Sequence, residues 1–160
     1  MRERRRLSRR TDPASTEPAR QHDNVLASIH VLSNRITLAF ESRLEANHGL
    51  SVSEWRVLLS LSSQTDLTAK DIHERWAMDK MAVSRAVRRL ESQGQVKRRK
   101  NPGDGRSYVL SITKKGTRLF QKILPSADAR YHEILSGLTV QEQRSLKRIL
   151  KKLNEHTDRL

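Results

Sequence analysis

The sequence predicts a mainly α-helical fold that contains one small β-hairpin, and two observations predict it. From residue 24 onward, apolar residues recur at three- and four-residue spacing, which is the period of one helix face. The period changes after Gly94, where two short strand-like segments flank a connection rich in Gly, Pro, Asn and Asp. The composition of 35% hydrophobic and 4% aromatic residues suffices for a thin core shared among helices.

The composition excludes several kinds of site. The 160 residues correspond to one domain, or to one domain with extensions. The absence of cysteine excludes a disulfide framework, a thiolate zinc site and a thiol redox sensor. The six histidines form no close ligand pair, so we expect no metal site and no cofactor. No stretch approaches about 18 consecutive apolar residues, and no apolar segment follows the basic N-terminus. We therefore predict a cytoplasmic protein with no membrane partner.

The N-terminal region divides into an arm and a long helix. Residues 1–22 contain two prolines and no apolar period, which predicts a disordered basic arm. A first helix is predicted to begin near Asp23 or Asn24, since either residue is able to cap it. Gly49 suits its C-terminal end. The apolar stripe of this helix, over about residues 24–47, consists of Val25, Ile29, Leu32, Ile36, Phe40 and Leu44.

Two capping-box spacings predict where the next helices begin. Ser51 to Glu54 precedes a strongly apolar helix, and Thr68 to Asp71 precedes a short one, with Asp in place of the usual Glu. Asp79 then caps a further helix after a tight turn. Its apolar stripe consists of Val83, Ala86, Val87 and Leu90.

The hairpin and two more helices complete the prediction. Residues 96–100 and 106–112 are the two strands, and residues 101–105 connect them. Thr113 is able to cap a fifth helix, which Pro125 should kink or split. Thr139 opens a third capping box and a last helix that reaches about residue 158. The apolar stripe of that helix consists of Leu146, Ile149, Leu150 and Leu153.

Two short helices followed by a basic hairpin describe a winged helix-turn-helix over about residues 50–116, flanked by long helices. The charge supports this interpretation, because residues 79–118 contain twelve basic and three acidic residues of a chain whose net charge is +14. The helix of residues 79–93 would be the recognition helix, since an α-helix fits the DNA major groove. The sequence therefore predicts a sequence-specific regulator whose partner is double-stranded DNA.

Particular side chains are candidates for DNA contact. The helix side opposite the apolar stripe presents Lys80, Met81, Ser84, Arg85 and Arg88. Arginine makes bidentate contacts to guanine, whereas a lysine near the helix start suits a phosphate. Arg106 beside the turn suits a narrow minor groove, and Asp104 is expected to orient it or to cap the turn. The predicted DNA contacts are Lys80, Ser84, Arg85, Arg88, Arg89, Lys97, Arg99 and Arg106.

From Leu50 to about Gly116 the sequence resembles the MarR family, the bacterial multiple-antibiotic-resistance-type regulators. The motifs that carry the resemblance are residues 50–58 (LSVSEWRVL), residues 83–94 (VSRAVRRLESQG), Asp104-Gly105-Arg106 and residues 111–116 (SITKKG). The flanking helices also lie where the family has them, which extends the likeness to about residues 24–158. Arg88 departs from the family pattern, which often has an acidic residue there, and adds a phosphate or base contact.

The resemblance implies a ligand-responsive repressor that binds a pseudo-palindromic operator as a homodimer. It places the first and the last two helices at the dimer interface and Arg106 in the minor groove. The unpaired apolar stripes independently favour a dimer, with an intramolecular bundle as the alternative. Family members commonly respond to small phenolic or carboxylic compounds, or to acyl-thioesters, bound between the dimerisation helices and the DNA-binding lobe. The residues nearest such an effector pocket are Arg35, Arg43, His48, Trp55 and Arg56, although Trp55 equally suits the core and Arg56 the surface.

Two other classes of function are alternatives to a regulator. An enzyme is not expected, because the sequence has no cysteine nucleophile, no Gly-rich phosphate loop, no metal-type motif and no Ser/His pair at a suggestive spacing. A non-specific nucleic-acid-binding or architectural protein is the alternative that the basic content allows. RNA is less favoured, because aromatic platforms for stacking single-stranded bases are missing.

Overall fold

The structure, a computed structural model, describes the backbone of residues 17–160 and the side chains of residues 24–160. Its elements are α1 (Glu17–His48), α2 (Val52–Ser63), β1 (Leu67–Thr68), α3 (Ala69–Trp76), α4 (Lys80–Ser92), β2 (Val96–Asn101), β3 (Asp104–Ile112), α5 (Lys114–Leu135) and α6 (Val140–Thr157). The predicted fold class, mainly α with a small β-hairpin wing, is confirmed. The chain divides into two compact units, one ending at Thr37 and the other spanning Leu38–Leu160. The sites described below lie within the second unit.

Helix α1 begins earlier than the sequence predicted. It starts at Glu17 rather than near Asp23, so residues 17–22 of the predicted arm are helical, and residues 1–16 lie outside the described residues. Pro18 lies in the first turn of this helix, where its missing N–H costs no hydrogen bond. The predicted C-terminal end is confirmed, because Gly49 has a φ of +62° and its N–H donates to the Glu45 carbonyl at 2.9 Å.

The predicted N-caps of α2 to α6 all form. Ser51, Thr68 and Thr139 each accept a hydrogen bond from the third residue of their helix and close a capping box. Asp79 and Thr113 cap α4 and α5 in the same way without the return hydrogen bond. These caps satisfy backbone donors that have no partner inside the helix, so they set where each helix begins.

The wing differs from the predicted hairpin in two respects. The sheet has three antiparallel strands in the order β1-β3-β2, and β1 was missed because it has two residues, Leu67 and Thr68, paired with Leu110 and Val109. The turn is also shorter, since β2 ends at Asn101 and β3 begins at Asp104. Lys100 pairs with Tyr108 whereas Asn101 pairs with Asp104, so residues 105–107 of β3 bulge out with no counterpart on β2.

The core lies where α2, α3 and α4 pack on one another and on the inner side of the sheet. The predicted stripe of α4 is confirmed as its buried side. Helix α5 also joins this core, and it runs continuously through Pro125 instead of splitting there. Ile123 and Ala127 on either side of the proline are both buried, so packing on this face holds the helix together despite the lost hydrogen bond.

Helix α6 contains no buried residue. Its apolar stripe stays open, with Ile149, Leu150 and Leu153 all exposed. In the first unit, the apolar residues Val25 and Leu32 of α1 are exposed as well.

Replacing Gly116 by alanine is expected to lower the free energy of unfolding by about 1–3 kcal/mol through overpacking. Gly116 is buried in the first turn of α5. A Cβ there would collide with the Gln95 carbonyl oxygen and lie 2.8 Å from Cγ1 of Ile112. The Gln95 carbonyl cannot retreat freely, because it accepts the Thr113 N–H at 3.0 Å. Chemical denaturation measures the effect.

Gly137 provides the matched control, because a Cβ at this position meets nothing within 4 Å. The Gly137→Ala variant should change the free energy of unfolding by less than about 0.5 kcal/mol, as do most surface substitutions. Equal denaturation midpoints for both variants would show that the Gly116 contact does not constrain the fold.

Candidate nucleic-acid interface

Helix α4 is held so that its polar side faces away from the core. Three residues, 77–79, separate it from α3; Ala77 is left-handed with a φ of 46°, and Met78 is buried. The ring Nδ1 of His73 donates to the Met78 carbonyl, which fixes this turn from within α3. The exposed side of α4 presents Lys80, Met81, Arg85 and Arg88, with Ser84 half-buried among them. This is the set of outward residues that the helical period predicted.

Arg89, a predicted DNA contact, makes an ion pair and a hydrogen bond within the protein. Its Nε lies 3.2 Å from Oε1 of Glu54, a carboxylate that is only 2% exposed. Its Nη2 also donates to the Gly49 carbonyl at 3.0 Å. A buried carboxylate requires a cation or donors beside it, so the half-exposed Arg89 side chain serves as the partner of Glu54.

Of the four consecutive basic residues of β2, two form ion pairs within the described part of the chain and two do not. Arg98 pairs with Glu91 of α4 at 3.0 Å and lies over the ring of Tyr108 at 5.1 Å. Arg99, a predicted DNA contact, pairs with Asp66 at 3.0 Å. These two pairs attach the wing to α4 on one side and to the turn between α2 and β1 on the other. Lys97 and Lys100 are exposed and make no ion pair with any side chain of residues 24–160, so both remain available to phosphates.

The wing tip is ordered by short-range hydrogen bonds around its bulge. Oδ1 of Asp104 accepts the Arg106 N–H at 3.0 Å. Oδ1 of Asn101 accepts the Gly103 N–H, and its Nδ2 donates to Ser107 Oγ, both at 3.0 Å. The structure thus places Asp104 against the backbone of Arg106, while the exposed guanidinium of Arg106 pairs with no acid among the described side chains.

Helix α3, helix α4 and the wing enclose a groove of about 520 Å³. Its polar lining includes Lys70, Ser84, Arg88, Arg98, Arg106 and Tyr108. Sequence reasoning missed Lys70, although its position in the first turn of the predicted short helix was a usable signal. Hydrogen bonds from the Thr68 N–H and hydroxyl hold the pKa of Asp71 below its ordinary value, so the first turn of α3 combines an ionised cap with an exposed lysine.

The surplus of positive charge on this face is unpaired. Two acidic groups beside it are paired, Asp66 with Arg99 and Glu91 with Arg98, while Asp79 and Asp104 accept backbone N–H groups. Among the described side chains, six basic residues of the face take part in no ion pair: Lys80, Arg85, Arg88, Lys97, Lys100 and Arg106. Such a surface attracts a polyanion and releases its counterions.

A second cavity, of about 180 Å³, lies between the C-terminal part of α1 and the middle of α5. Phe40, Leu44 and Ile123 form its apolar wall, and Arg43, His48 and Arg130 supply polar groups. Nε of Arg130 is buried and has no hydrogen-bond partner among the described residues. Burial and then the charge of Lys122 lower the pKa of His48, so its imidazole is neutral near pH 7.

The predicted effector residues do not come together in this cavity. His48 and Arg43 line it. Trp55 is 2% exposed and stacks on Phe120 at 5.4 Å, which makes it a core residue. Arg56 lies over the Trp76 ring instead, and Arg35 belongs to the first unit. Arg130 was missed, although its spacing from Ile123 and Ala127 put it on the same face of the predicted fifth helix.

None of the helices in the described part of the chain is long and apolar enough to span a membrane. Among the same residues there is no group of three or more His, Asp or Glu side chains arranged to hold a metal ion.

Comparisons with known proteins agree on one family. A family model described as the MarR family matches residues 48–107. The chain is 32% identical over 108 residues to the HTH-type transcriptional repressor Rv2887 of Mycobacterium tuberculosis, covering 66% of this chain and 76% of that protein.

Two solved structures extend the comparison to the fold. A MarR/EmrR family transcriptional regulator from Acinetobacter sp. ADP1 matches with a TM-score of 0.80 and 28% identity, over 87% of this chain and 98% of that one. BpsR of Bordetella bronchiseptica, whose DNA binding is regulated by 6-hydroxynicotinic acid, matches with a TM-score of 0.74 over 82% of this chain and 98% of that one. Its identity of 21% shows the shared fold alone.

Proposed function

The chain belongs to the MarR family and is a DNA-binding transcriptional regulator, not an enzyme, and we propose that it is a repressor that binds a pseudo-palindromic operator as a homodimer. The observation that carries this proposal is the unpaired basic face formed by α4 and the wing. A recognition helix and a wing on one face engage neighbouring grooves of a duplex. The two copies of α4 would meet half-sites about one helical turn apart.

Different residues of this face suit different parts of the DNA. Arg85 and Arg88 carry planar guanidinium groups on the outward side of α4, which suits guanine edges in the major groove. Lys80 and Lys70 lie in the first turns of α4 and α3, where a phosphate also meets the positive end of the helix dipole. Arg106 projects from the bulge at the wing tip, which suits insertion into a narrow minor groove.

The Arg106→Ala variant tests the wing assignment. Operator affinity should fall by about 1–3 kcal/mol while the denaturation midpoint stays unchanged, because the guanidinium is exposed and pairs with no described acid. The operator is first selected from random duplexes with the full chain, and affinities are then measured by fluorescence anisotropy. Lys152→Ala, which removes an exposed charge from α6, is the control and should change the affinity far less.

Competition with bulk DNA separates the regulator from an architectural protein. A regulator retains its selected site in a large excess of random duplex, whereas an architectural protein loses most of its binding. An Arg106→Ala variant with unchanged operator affinity would show that Arg106 does not insert into the minor groove. The absence of any selected site would contradict the regulator itself.

We further propose that the cavity between α1 and α5 binds a small aromatic or carboxylic effector. A carboxylate or phenolate would supply the acceptor that the buried Nε of Arg130 lacks. The Phe40 side of the cavity provides an apolar wall for a ring. A volume of about 180 Å³ fits one ring rather than a whole acyl-thioester, which would have to leave most of its chain outside.

Benzoate is the probe for this cavity. Its dissociation constant, measured by calorimetry on the full chain, should rise at least about tenfold in Arg130→Gln, as expected for a lost charge-assisted hydrogen bond. Arg144→Gln on α6 is the charge-matched control and should bind as the wild type does. Equal affinities for all three proteins would place the benzoate site elsewhere.

A further inference from the structure

Met81 is an exposed apolar side chain on a surface that is otherwise polar. It is 58% exposed on the outward side of α4, next to Lys80 and one turn before Arg85. The other exposed large hydrophobic residues of the described part of the chain lie in α1, in α5, from the start of α6 to the C-terminus, or, for Tyr108, beneath the Arg98 guanidinium. Packing within the described chain therefore gives no reason for an apolar side chain at position 81.

The position of Met81 places it at the end of α4 that enters a groove first. Asp79 caps the helix, so Met81 belongs to the first turn. The N-terminal residues of a recognition helix are those that contact base edges. Met81 and Arg85 are four residues apart and Arg88 follows three later, so these side chains form one row along the outward face.

The chemistry of the thioether selects among the groups that the major groove presents. The base edges there carry hydrogen-bond donors and acceptors, and the thymine C5-methyl is the apolar group among them. A methionine side chain donates no hydrogen bond, accepts only weakly, and is flexible and polarisable, so it packs well on a methyl group. We propose that Met81 recognises a thymine methyl group in each operator half-site, beside the base that Arg85 contacts.

This inference rests on the proposed function, since it requires α4 to enter the major groove. Removing one methyl from the contact should weaken binding about fourfold, the equivalent of the free energy of burying one methylene group. Removing the methyl from both half-sites of a palindrome should weaken binding about 15-fold if the two contacts are independent.

Deoxyuridine substitution provides the test, because it removes only the C5-methyl from a T·A pair. Each thymine of the selected operator is replaced in turn, symmetrically in both half-sites, and affinities are measured for the wild type, Met81→Ala and Met81→Leu. We expect one position at which the wild type and Met81→Leu lose about 15-fold while Met81→Ala loses nothing. Arg85→Ala serves as the matched control, since it should keep the methyl effect at that position while losing discrimination at its own base.

Two outcomes of the deoxyuridine experiment would overturn the inference. In one, no deoxyuridine position weakens the wild type; in the other, Met81→Ala loses as much as the wild type at every position. The second outcome would mean that the methyl acts through DNA shape rather than through the side chain. Failure of the regulator proposal is distinguishable, because it shows as the absence of any selected operator before deoxyuridine is introduced, and it would overturn the Met81 inference as well.

Discussion

Replacing Leu150 on α6 by aspartate is expected to convert the proposed dimer into a monomer and to lower operator affinity by about 10²–10⁴-fold, the gain that joining two binding modules ordinarily provides. Leu150 is 40% exposed at the centre of the open stripe. It lines a cleft of about 760 Å³ together with Leu135, Val140 and Leu146. A carboxylate placed inside an apolar interface would lose its hydration without gaining a partner.

Lys152→Gln is the matched control, because it changes the net charge by the same single unit, two residues further along the same helix. Sedimentation at micromolar concentration should show a dimer for the wild type and for Lys152→Gln, and a monomer for Leu150→Asp. Since Leu150 is 40% exposed and lies outside the buried core of the isolated chain, the variant should keep its helical circular dichroism. A Leu150→Asp variant that stays dimeric would show that the interface does not lie on α6. A monomer that binds the full operator as tightly as the wild type would show that operator binding does not require a dimer.

The parts of the fold that the sequence predicted correctly depend on residues close together in the chain. Each N-cap of α2 to α6 is a relation between a residue and the third position after it, as in Ser51 and Glu54. The buried stripe of α4 follows from helical spacing alone. The start of α1 was predicted wrongly, because proline disrupts the interior of a helix but is tolerated in its first turn, where Pro18 lies. Strand β1 was missed because two residues are too few to show an alternation.

The features of the interface that the sequence did not reveal are ion pairs between residues far apart in the chain. The sequence prediction included Arg89 among the DNA contacts without regard to Glu54, which the fold buries beside it. Arg99 meets Asp66 across the sheet. The lining of the cavity differs from the predicted effector residues for the same reason, because Trp55 and Arg56 are neighbours in the chain but pack against different rings. Local patterns thus predicted which elements exist, whereas the partners of individual cations required the packing of those elements.

The pairing of Arg89 with Glu54 leads to the second large effect. Arg89→Ala is expected to lower the free energy of unfolding by about 1–3 kcal/mol, because it leaves a buried acceptor without its charged partner. Oε2 of Glu54 would keep the Ser51 N–H at 2.7 Å, but Oε1 would lose the guanidinium. The Gly49 carbonyl would also lose its donor from α4, so the attachment of the recognition helix to the α1–α2 junction would loosen.

A second substitution and a neighbouring residue separate this structural role from a DNA contact. Adding Glu54→Gln to Arg89→Ala should restore part of the stability, because an amide oxygen still accepts the Ser51 N–H and carries no charge that needs a partner. Arg88→Ala, one position away and exposed, should weaken DNA binding while leaving the denaturation midpoint unchanged. Urea denaturation and operator titration of the four proteins decide between the roles. If Arg89→Ala instead keeps its midpoint and weakens DNA binding as Arg88→Ala does, then Arg89 contacts DNA and its pairing with Glu54 contributes nothing to the stability of the fold.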